Sequence, residues 1–172
     1  MSRPTTLNTH LKVEPAGLQD RLAILVATGV GAGFTPKAPG TAGAVEGVLI
    51  YLLMDSLRLG TYFLHVIILL LIIGTWSAYR VERFWGEDSQ RIVVDEIVGQ
   101  MITFGLAAGR YPLPVHHVIF GFILFRLFDI VKPFPLRRLE SLKWGMGVMA
   151  DDVGAGLYAL VVLTLARKIL GA

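Results

Sequence analysis

Five carboxylic acids lie inside or at the edge of long apolar runs of the sequence. They are Asp95, Glu96, Asp129, Asp151 and Asp152. An ionised carboxylate near hydrocarbon is costly unless a partner stabilises it, so acids in such places usually mark a metal site, a proton path or a catalytic site. These positions therefore predict chemistry at a membrane.

Four of the five acids form two pairs at predicted helix starts, Asp95-Glu96 and Asp151-Asp152. Neighbouring helical residues lie about 100° apart around the axis, so one carboxylate can face a cation while the other faces an adjacent helix or a second ligand. The alternative is that each pair only stabilises a helix N-terminus through the helix dipole. Together with Asp129, the pairs suit a hard cation such as Mg²⁺, which takes oxygen ligands, better than zinc.

Two basic residues accompany Asp129 on one helical face. Arg126, Asp129 and Lys132 follow one another at intervals of three residues. A salt bridge between Arg126 and Asp129 would be a purely structural explanation. The functional interpretation is that Asp129 faces the metal while Arg126 or Lys132 holds an anionic headgroup.

A loop rich in proline and glycine, GFTPKAPGTAG at 33–43, is predicted to be irregular. Thr35, Lys37 and Thr41 could bind phosphate there, with Thr41 as the N-cap of the next helix. A plain connector is the alternative. Glu46, one turn into that helix, is interpreted as an interhelical partner and not as a ligand.

The composition indicates an integral membrane protein. Hydrophobic residues make up 54% of the 172 residues and charged residues only 17%. The absence of cysteine excludes disulfides, zinc thiolate sites and cysteine-nucleophile phosphatase chemistry. The scattered basic residues, with a formal net charge of +3, suit an anionic membrane surface, and we expect no nucleic-acid binding.

The predicted fold class is all-α, a multi-pass transmembrane helical bundle of about four to five membrane helices plus a short N-terminal or re-entrant helix. The predicted helices cover about 42–57, 61–79, 93–109, 113–131 and 147–168. Residues 21–34 are apolar but too short to span a bilayer, and we predict a buried half-helix there. Residues 1–20 are predicted to be a cytoplasmic tail, and residues 21–172 a single membrane-embedded domain.

Alternation of the five helices sets an orientation. Eleven Lys and Arg residues fall on one side and four on the other, which places the first side in the cytoplasm. All five acids then lie at the cytoplasmic end, beside the 33–43 loop. His65 is placed in mid-span and His116 and His117 at the opposite end. A small ion or proton-coupled transporter remains the alternative function, although its relay acids would be spread across the membrane.

Four blocks, in this order, resemble the phosphatidylglycerophosphatase A family of bacterial membrane phosphatases. They are GFTPKAPGTAG at 33–43, IVVDEIVG at 92–99, FRLFDIVKPFP at 125–135 and GMGVMADDVGAG at 145–156. Thr35 and Ala44 stand where serine is common in the family, and Trp144 replaces a frequent glycine. No carboxylate is affected by these departures.

The resemblance implies Mg²⁺-dependent hydrolysis of the terminal phosphate of phosphatidylglycerophosphate, giving phosphatidylglycerol and phosphate at the bacterial inner membrane. The acids named above would hold one or two Mg²⁺ ions, and one of them would act as the general base. Lys37, Arg126 and Lys132 would stabilise charge on the phosphoryl oxygens. Direct attack by water is favoured over a covalent aspartyl intermediate, while the number of metal ions and the oligomeric state stay open.

One other lipid enzyme is weighed against this function. A membrane phosphotransferase that makes a headgroup linkage would need the spacing Asp-Gly-x-x-Ala-Arg, followed by further aspartates. That spacing is absent from the sequence.

Overall fold

The computed structural model describes Pro15 and residues 17–86, 89–105, 112–139 and 146–170. Within these ranges every regular element is helical, which confirms the all-α prediction. The α-helices are α1 (Leu18–Ala27), α2 (Pro39–Ser56), α3 (Phe63–Trp85), α4 (Val94–Thr103), α5 (Val115–Val131), α6 (Leu136–Leu139) and α7 (Met146–Leu170). Most of the predicted 1–20 tail lies outside the described residues.

The short helix α4 forms the centre of the bundle. Nine of its ten residues are buried, and it packs against α2, α3, α5 and α7. Ten helical residues extend only about 15 Å, about half the thickness of a bilayer's hydrocarbon core. The predicted helix over 93–109 is therefore too long. After Thr103 the chain turns at Phe104, whose buried ring lies 4.7 Å from that of Tyr51, and residues 106–111 lie outside the described ranges.

Glycines allow α2 and α7 to approach α4 very closely. A Cβ atom added to Gly43 would lie 2.7 Å from the carbonyl oxygen of Val93, and one added to Gly99 would lie 2.6 Å from that of Asp152. No side chain fits at such distances, so the helix backbones are in direct contact. The acids of α4 and α7 consequently face each other across a narrow gap.

Helix α1 is a half-helix held against α3. Arg80 Nε lies 2.7 Å from Asp20 Oδ1, and Ala23 and Ala27 are fully buried at the contact. The opposite face of α1 exposes leucines, including Leu18. The prediction of a short helix before the loop is confirmed, although only one of its faces is buried.

The long helices have apolar outer surfaces. Among the described residues, the segments Gly60–Trp85 and Met146–Ile169 are long and apolar enough to cross a membrane. Helices α2 and α5, with 18 and 17 residues, lie at the lower end of spanning length. The architecture is that of a multi-pass helical bundle in which α3 and α7 are the clearest candidate spans.

The helices alternate in direction, so the starts of α2, α4 and α7 meet the ends of α3 and α5. We call this the site end. His117 lies in the first turn of α5, at the far end as predicted, where its buried ring lies 4.3 Å from that of His116. The placement of His65 in mid-span is wrong, since it lies exposed in the first turn of α3.

Candidate active site

A polar pocket of about 360 Å³ opens at the site end. All five acids predicted from the sequence line it, together with Arg126 of α5 and Lys132, which directly follows that helix. The lining residues are Ala38, Pro39, Gly40, Ser89, Gln90, Ile92, Asp95, Glu96, Arg126, Asp129, Lys132, Val148, Asp151 and Asp152. The expected convergence of acids from α4, α5 and α7 is therefore present in the structure.

Three of the acids form a compact triad. Asp95, Glu96 and Asp152 each offer a carboxylate oxygen, and these oxygens all lie within 4.8 Å of one another. Asp95 and Asp152 are buried, with 7% and 3% of their surfaces exposed. Three negative charges at such distances repel one another strongly away from bulk water. The triad therefore requires a positive partner in order to be ionised.

The oxygen atoms of the triad fit a hard cation. One oxygen of each residue, Asp95 Oδ1, Glu96 Oε2 and Asp152 Oδ2, is buried without a hydrogen-bond partner, and such atoms are rare in proteins. Ligand oxygens lie about 2.1 Å from Mg²⁺, so two of them around one ion are at most about 4.2 Å apart. Oxygens that lie within 4.8 Å of one another need only a small shift to surround one ion, and the donor set consists of oxygens only.

The other two acids are paired with cations. Arg126 Nη1 lies 2.6 Å from Asp129 Oδ2 and 3.9 Å from Glu96 Oε1. Lys132 Nζ donates a hydrogen bond of 2.6 Å to Asp151 Oδ2. Each cation is therefore tied to a carboxylate while it faces the pocket. The Arg126–Asp129 salt bridge, which the sequence offered as the structural alternative to metal binding by Asp129, is present, and it lies within the pocket.

Two residues with left-handed backbone conformations border the pocket. Lys132 ends α5 with a φ of 46°, and Ala38 precedes α2 with a φ of 49°. This conformation costs a residue with a side chain about 1 kcal/mol or more, and such strain concentrates at functional sites. At Lys132 the conformation ends α5 where the lysine reaches α7.

The proline and glycine loop contributes backbone and small residues to the pocket, through Ala38, Pro39 and Gly40. Thr35, Lys37 and Thr41 are not among the lining residues. Thr35 and Lys37 are exposed, and the Thr35 hydroxyl donates to the carbonyl of Ala32. Substrate binding by these three side chains stays a prediction.

The assignment of Thr41 as the N-cap of α2 is wrong. The helix begins at Pro39 after Ala38, so Thr41 is its third residue. Proline suits the first helical position because its φ is already helical and its missing N–H would have no partner there. Gly40 can then pack directly on Glu96, since an added Cβ would collide with that carboxylate.

Glu46 lies outside the pocket lining. Its Oε2 atom lies against Gly29, in the turn that follows α1. A Cβ atom added to Gly29 would collide with it. This position agrees with its interpretation as a partner between elements and not as a ligand.

Sequence reasoning missed the pocket residues contributed by the segment between α3 and α4. Ser89, Gln90 and Ile92 line the pocket immediately before the Asp95-Glu96 pair. The available signal was their position next to that acidic block. Polar residues in an exposed turn are ordinary, so their types alone gave no indication.

Comparison with known proteins supports one family. The family model of phosphatidylglycerophosphatase A matches residues 25–167. Phosphatidylglycerophosphatase A of Haemophilus influenzae is 37% identical over 141 residues, covering 81% of this chain and 85% of the relative. The Escherichia coli K12 protein of the same name is 34% identical over 144 residues, covering 81% and 80%.

A further relative carries a different name. A putative phosphatidylinositol-3-phosphatase of Bacteroides thetaiotaomicron is 43% identical over 154 residues, covering 87% of this chain and 96% of the relative. No solved structure matches the chain. The family model spans all four sequence blocks and every acid of the pocket, and the chain belongs to the phosphatidylglycerophosphatase A family.

Proposed function

We propose that this protein is a Mg²⁺-dependent lipid phosphatase that hydrolyses the terminal phosphomonoester of phosphatidylglycerophosphate, releasing phosphatidylglycerol and phosphate. One observation carries the proposal: a pocket of headgroup size in which three clustered carboxylates, each with one buried oxygen that has no hydrogen-bond partner, lie beside Arg126 and Lys132. The relatives from Haemophilus influenzae and Escherichia coli are named for this activity. No comparison supports the transporter alternative.

The triad supplies the residues that would hold the metal. Asp95, Glu96 and Asp152 combine short mutual distances with buried oxygens that have no partner. Bound there, Mg²⁺ would neutralise the phosphate and lower the pKa of a water molecule for attack. We assign Asp129 and Asp151 a different role, which is to hold Arg126 and Lys132 in position. The proposed metal ligands are therefore three of the five acids expected from the sequence.

The electrostatics of the pocket support this division. Its charged lining carries a formal charge of −3 when every group is ionised, which would repel a phosphate. Arg126 and Lys132 are the lining residues that can donate hydrogen bonds to phosphoryl oxygens as cations. Asp129 and Asp151 fix their positions, so little side-chain entropy is lost when the phosphate binds.

The start of α2 offers a further contact for the phosphate. Pro39 and Gly40 place the first turn of this 18-residue helix at the pocket. Pro39 has no N–H, and the Thr41 and Ala42 amides donate to the carbonyl of Ala38, so the Gly40 amide is the first-turn group that would meet an anion, which the helix dipole favours there. The phosphate would lie between this turn and the two cations, and a pocket carboxylate would accept the proton of the attacking water.

The same geometry suits a substrate that stays in the membrane. The pocket lies at one end of helices whose outer faces are apolar, so the acyl chains can remain in the bilayer while the headgroup enters. We place this end at the cytoplasmic face of the bacterial inner membrane because it carries most of the basic residues.

A second substrate has a specific observation in its favour. The relative from Bacteroides thetaiotaomicron, named as a putative phosphatidylinositol-3-phosphatase, is 43% identical. Phosphatidylinositol 3-phosphate carries the same phosphomonoester on a larger, ring-shaped alcohol. The chemistry proposed for the pocket would be unchanged, and only the contacts to the alcohol would differ.

Phosphate release by the purified protein tests both substrates. The protein is incubated in mixed micelles with either lipid, with Mg²⁺ or with a chelator, and Asp95→Asn serves as the inactive control. We expect Mg²⁺-dependent release from phosphatidylglycerophosphate that the substitution abolishes. Release from phosphatidylinositol 3-phosphate alone would transfer the proposal to that lipid, and release from neither would refute it.

A further inference from the structure

Beside its acids and cations, the described lining of the pocket contains two polar, uncharged side chains, Ser89 and Gln90. The acids and cations belong to α4, α7 and the end of α5, whereas the described residues between α3 and α4 contribute Ser89, Gln90 and Ile92. Metal binding and phosphate binding make use of the charged groups. The Ser89 hydroxyl oxygen accepts a hydrogen bond of 3.5 Å from the Arg91 amide and can still donate its own proton, and the proposed reaction uses neither this hydroxyl nor the Gln90 amide.

The segment that carries these two residues is held firmly by its neighbours. The Val93 amide donates a hydrogen bond of 2.8 Å to the carbonyl of Ala27, at the end of α1. Gly33 packs against the carbonyl of Arg91 so closely that no side chain would fit. These contacts fix the backbone from two directions.

Aromatic packing and a turn complete the support. The guanidinium of Arg91 lies 5.5 Å from the centre of the Trp85 ring, and that ring meets Phe34 edge to face. The Ile92 amide donates to the carbonyl of Ser89. A backbone supported in this way presents side chains to a ligand without a large ordering cost.

The chemistry of these side chains indicates what they bind. A serine hydroxyl and a glutamine amide each combine a donor with an acceptor, which matches an alcohol group. We infer that Ser89 and Gln90 bind the free hydroxyl of the headgroup alcohol and thereby select the phospholipid that is cleaved. This inference rests on the proposed function and adds a specificity determinant to it.

A pair of lipids that differ by one hydroxyl tests the inference. The substrates are phosphatidylglycerophosphate and an analogue in which propane-1,3-diol replaces the headgroup glycerol. One or two hydrogen bonds correspond to a loss of about 10-fold in kcat/KM, and we expect that loss when the wild type acts on the analogue. Ser89→Ala/Gln90→Ala should lose about 10-fold on the natural lipid and lose nothing more on the analogue, because the same contact cannot be lost twice.

Matched controls are available elsewhere in the chain. Ser56 and Gln19 are exposed and lie outside the pocket lining, so Ser56→Ala and Gln19→Ala should keep the wild-type preference between the lipids. The single variants Ser89→Ala and Gln90→Ala repeat the comparison if the double variant does not fold. Either of two results overturns the inference alone. In the first, the loss caused by the substitutions and the loss caused by the analogue multiply when the variant acts on the analogue. In the second, the wild type cleaves both lipids equally well. Absence of release from either lipid by the wild type refutes the proposed function and the inference with it.

Discussion

The acids of the pocket fall into two groups according to what lies beside each carboxylate. Asp129 and Asp151 each have a cation at 2.6 Å. Asp95, Glu96 and Asp152 lie beside one another and retain buried oxygens without hydrogen-bond partners. The first group is stabilised as anions by the protein itself. The second group has one longer contact with a cation, between Glu96 and Arg126 at 3.9 Å, so its three carboxylates require an added cation in order to be ionised together. Substitutions in the two groups should therefore have different consequences.

Replacing one acid from each group separates their roles. Asp152→Asn should lower Mg²⁺-dependent phosphate release by more than about 100-fold. Loss of a residue that only hydrogen-bonds to a metal ligand already lowers metal affinity or activity by about 10- to 100-fold, and Asp152 is proposed to bind the metal directly. It should also abolish the rise in Tm that Mg²⁺ gives the wild type. Asp151→Asn should keep that rise but increase KM, since Lys132 loses a carboxylate that positions it. Thermal unfolding with and without Mg²⁺ measures the difference, and equal responses of the two variants would contradict the division.

Gln100 gives a prediction about stability alone. Its side chain is fully buried against Gly47, and neither amide atom has a hydrogen-bond partner. A buried polar group without a partner costs about 1–3 kcal/mol, so Gln100→Met should raise the free energy of unfolding by about 1 kcal/mol. The control is Thr103→Val on the same helix, because the equally buried Thr103 hydroxyl donates to the Gly99 carbonyl. Denaturant unfolding measures both, and destabilisation by Gln100→Met would indicate a partner such as a buried water molecule.

At the scale of the helices, apolar runs predicted the elements well but not all of their ends. Helix α3 continues to Trp85, beyond the predicted end at 79. The prediction ended the helix where the apolar run ends, but charged residues at a membrane surface can continue the same helix. Helix α4 is shorter than predicted because its end is set by the packing of Phe104 and not by composition.

The site could be predicted only in part, for a related reason. Helix alternation was enough to bring the acids to one end of the bundle. The rotation of each helix about its own axis decides which acid meets a cation and which joins the triad, and no pattern in the sequence specifies that rotation. The position of Ser89 in the pocket could not be predicted, because polar residues are common in turns.

The contact between α4 and α7 positions the triad, and Gly156 controls it. A Cβ at this position would run into the carbonyl of Gly99, so Gly156→Ala should push the helices apart and move Asp152 away from Asp95. We expect a loss of about 1–3 kcal/mol in stability, as for other overpacked sites, together with weaker Mg²⁺ activation. Gly17→Ala is the control, since nothing lies within 4 Å of the added Cβ. Equal stability and Mg²⁺ dependence in the two variants would show that this contact does not set the geometry of the triad.

Across the whole molecule, exposed basic residues and apolar surface occupy different parts of the bundle. The site end carries Lys37, Arg91 and Arg137 among its exposed basic residues, while the outer faces of the long helices expose residues such as Ile72 and Ile123. Basic residues of membrane proteins accumulate on the cytoplasmic side. The proposed pocket would then open where phospholipid headgroups are synthesised.

Accessibility of introduced cysteines tests this orientation, and the chain is suited to the experiment because it contains no cysteine. Lys37 at the site end and Ser56 at the far end of α2 are both exposed and lie outside the pocket lining. In intact cells, a thiol reagent that cannot cross the inner membrane should label Ser56→Cys, whereas Lys37→Cys should react only after that membrane is permeabilised. The cysteine-free parent protein controls for background labelling. The reverse pattern would place the pocket outside the cytoplasm, and labelling of both positions in intact cells would show that α2 does not separate two compartments.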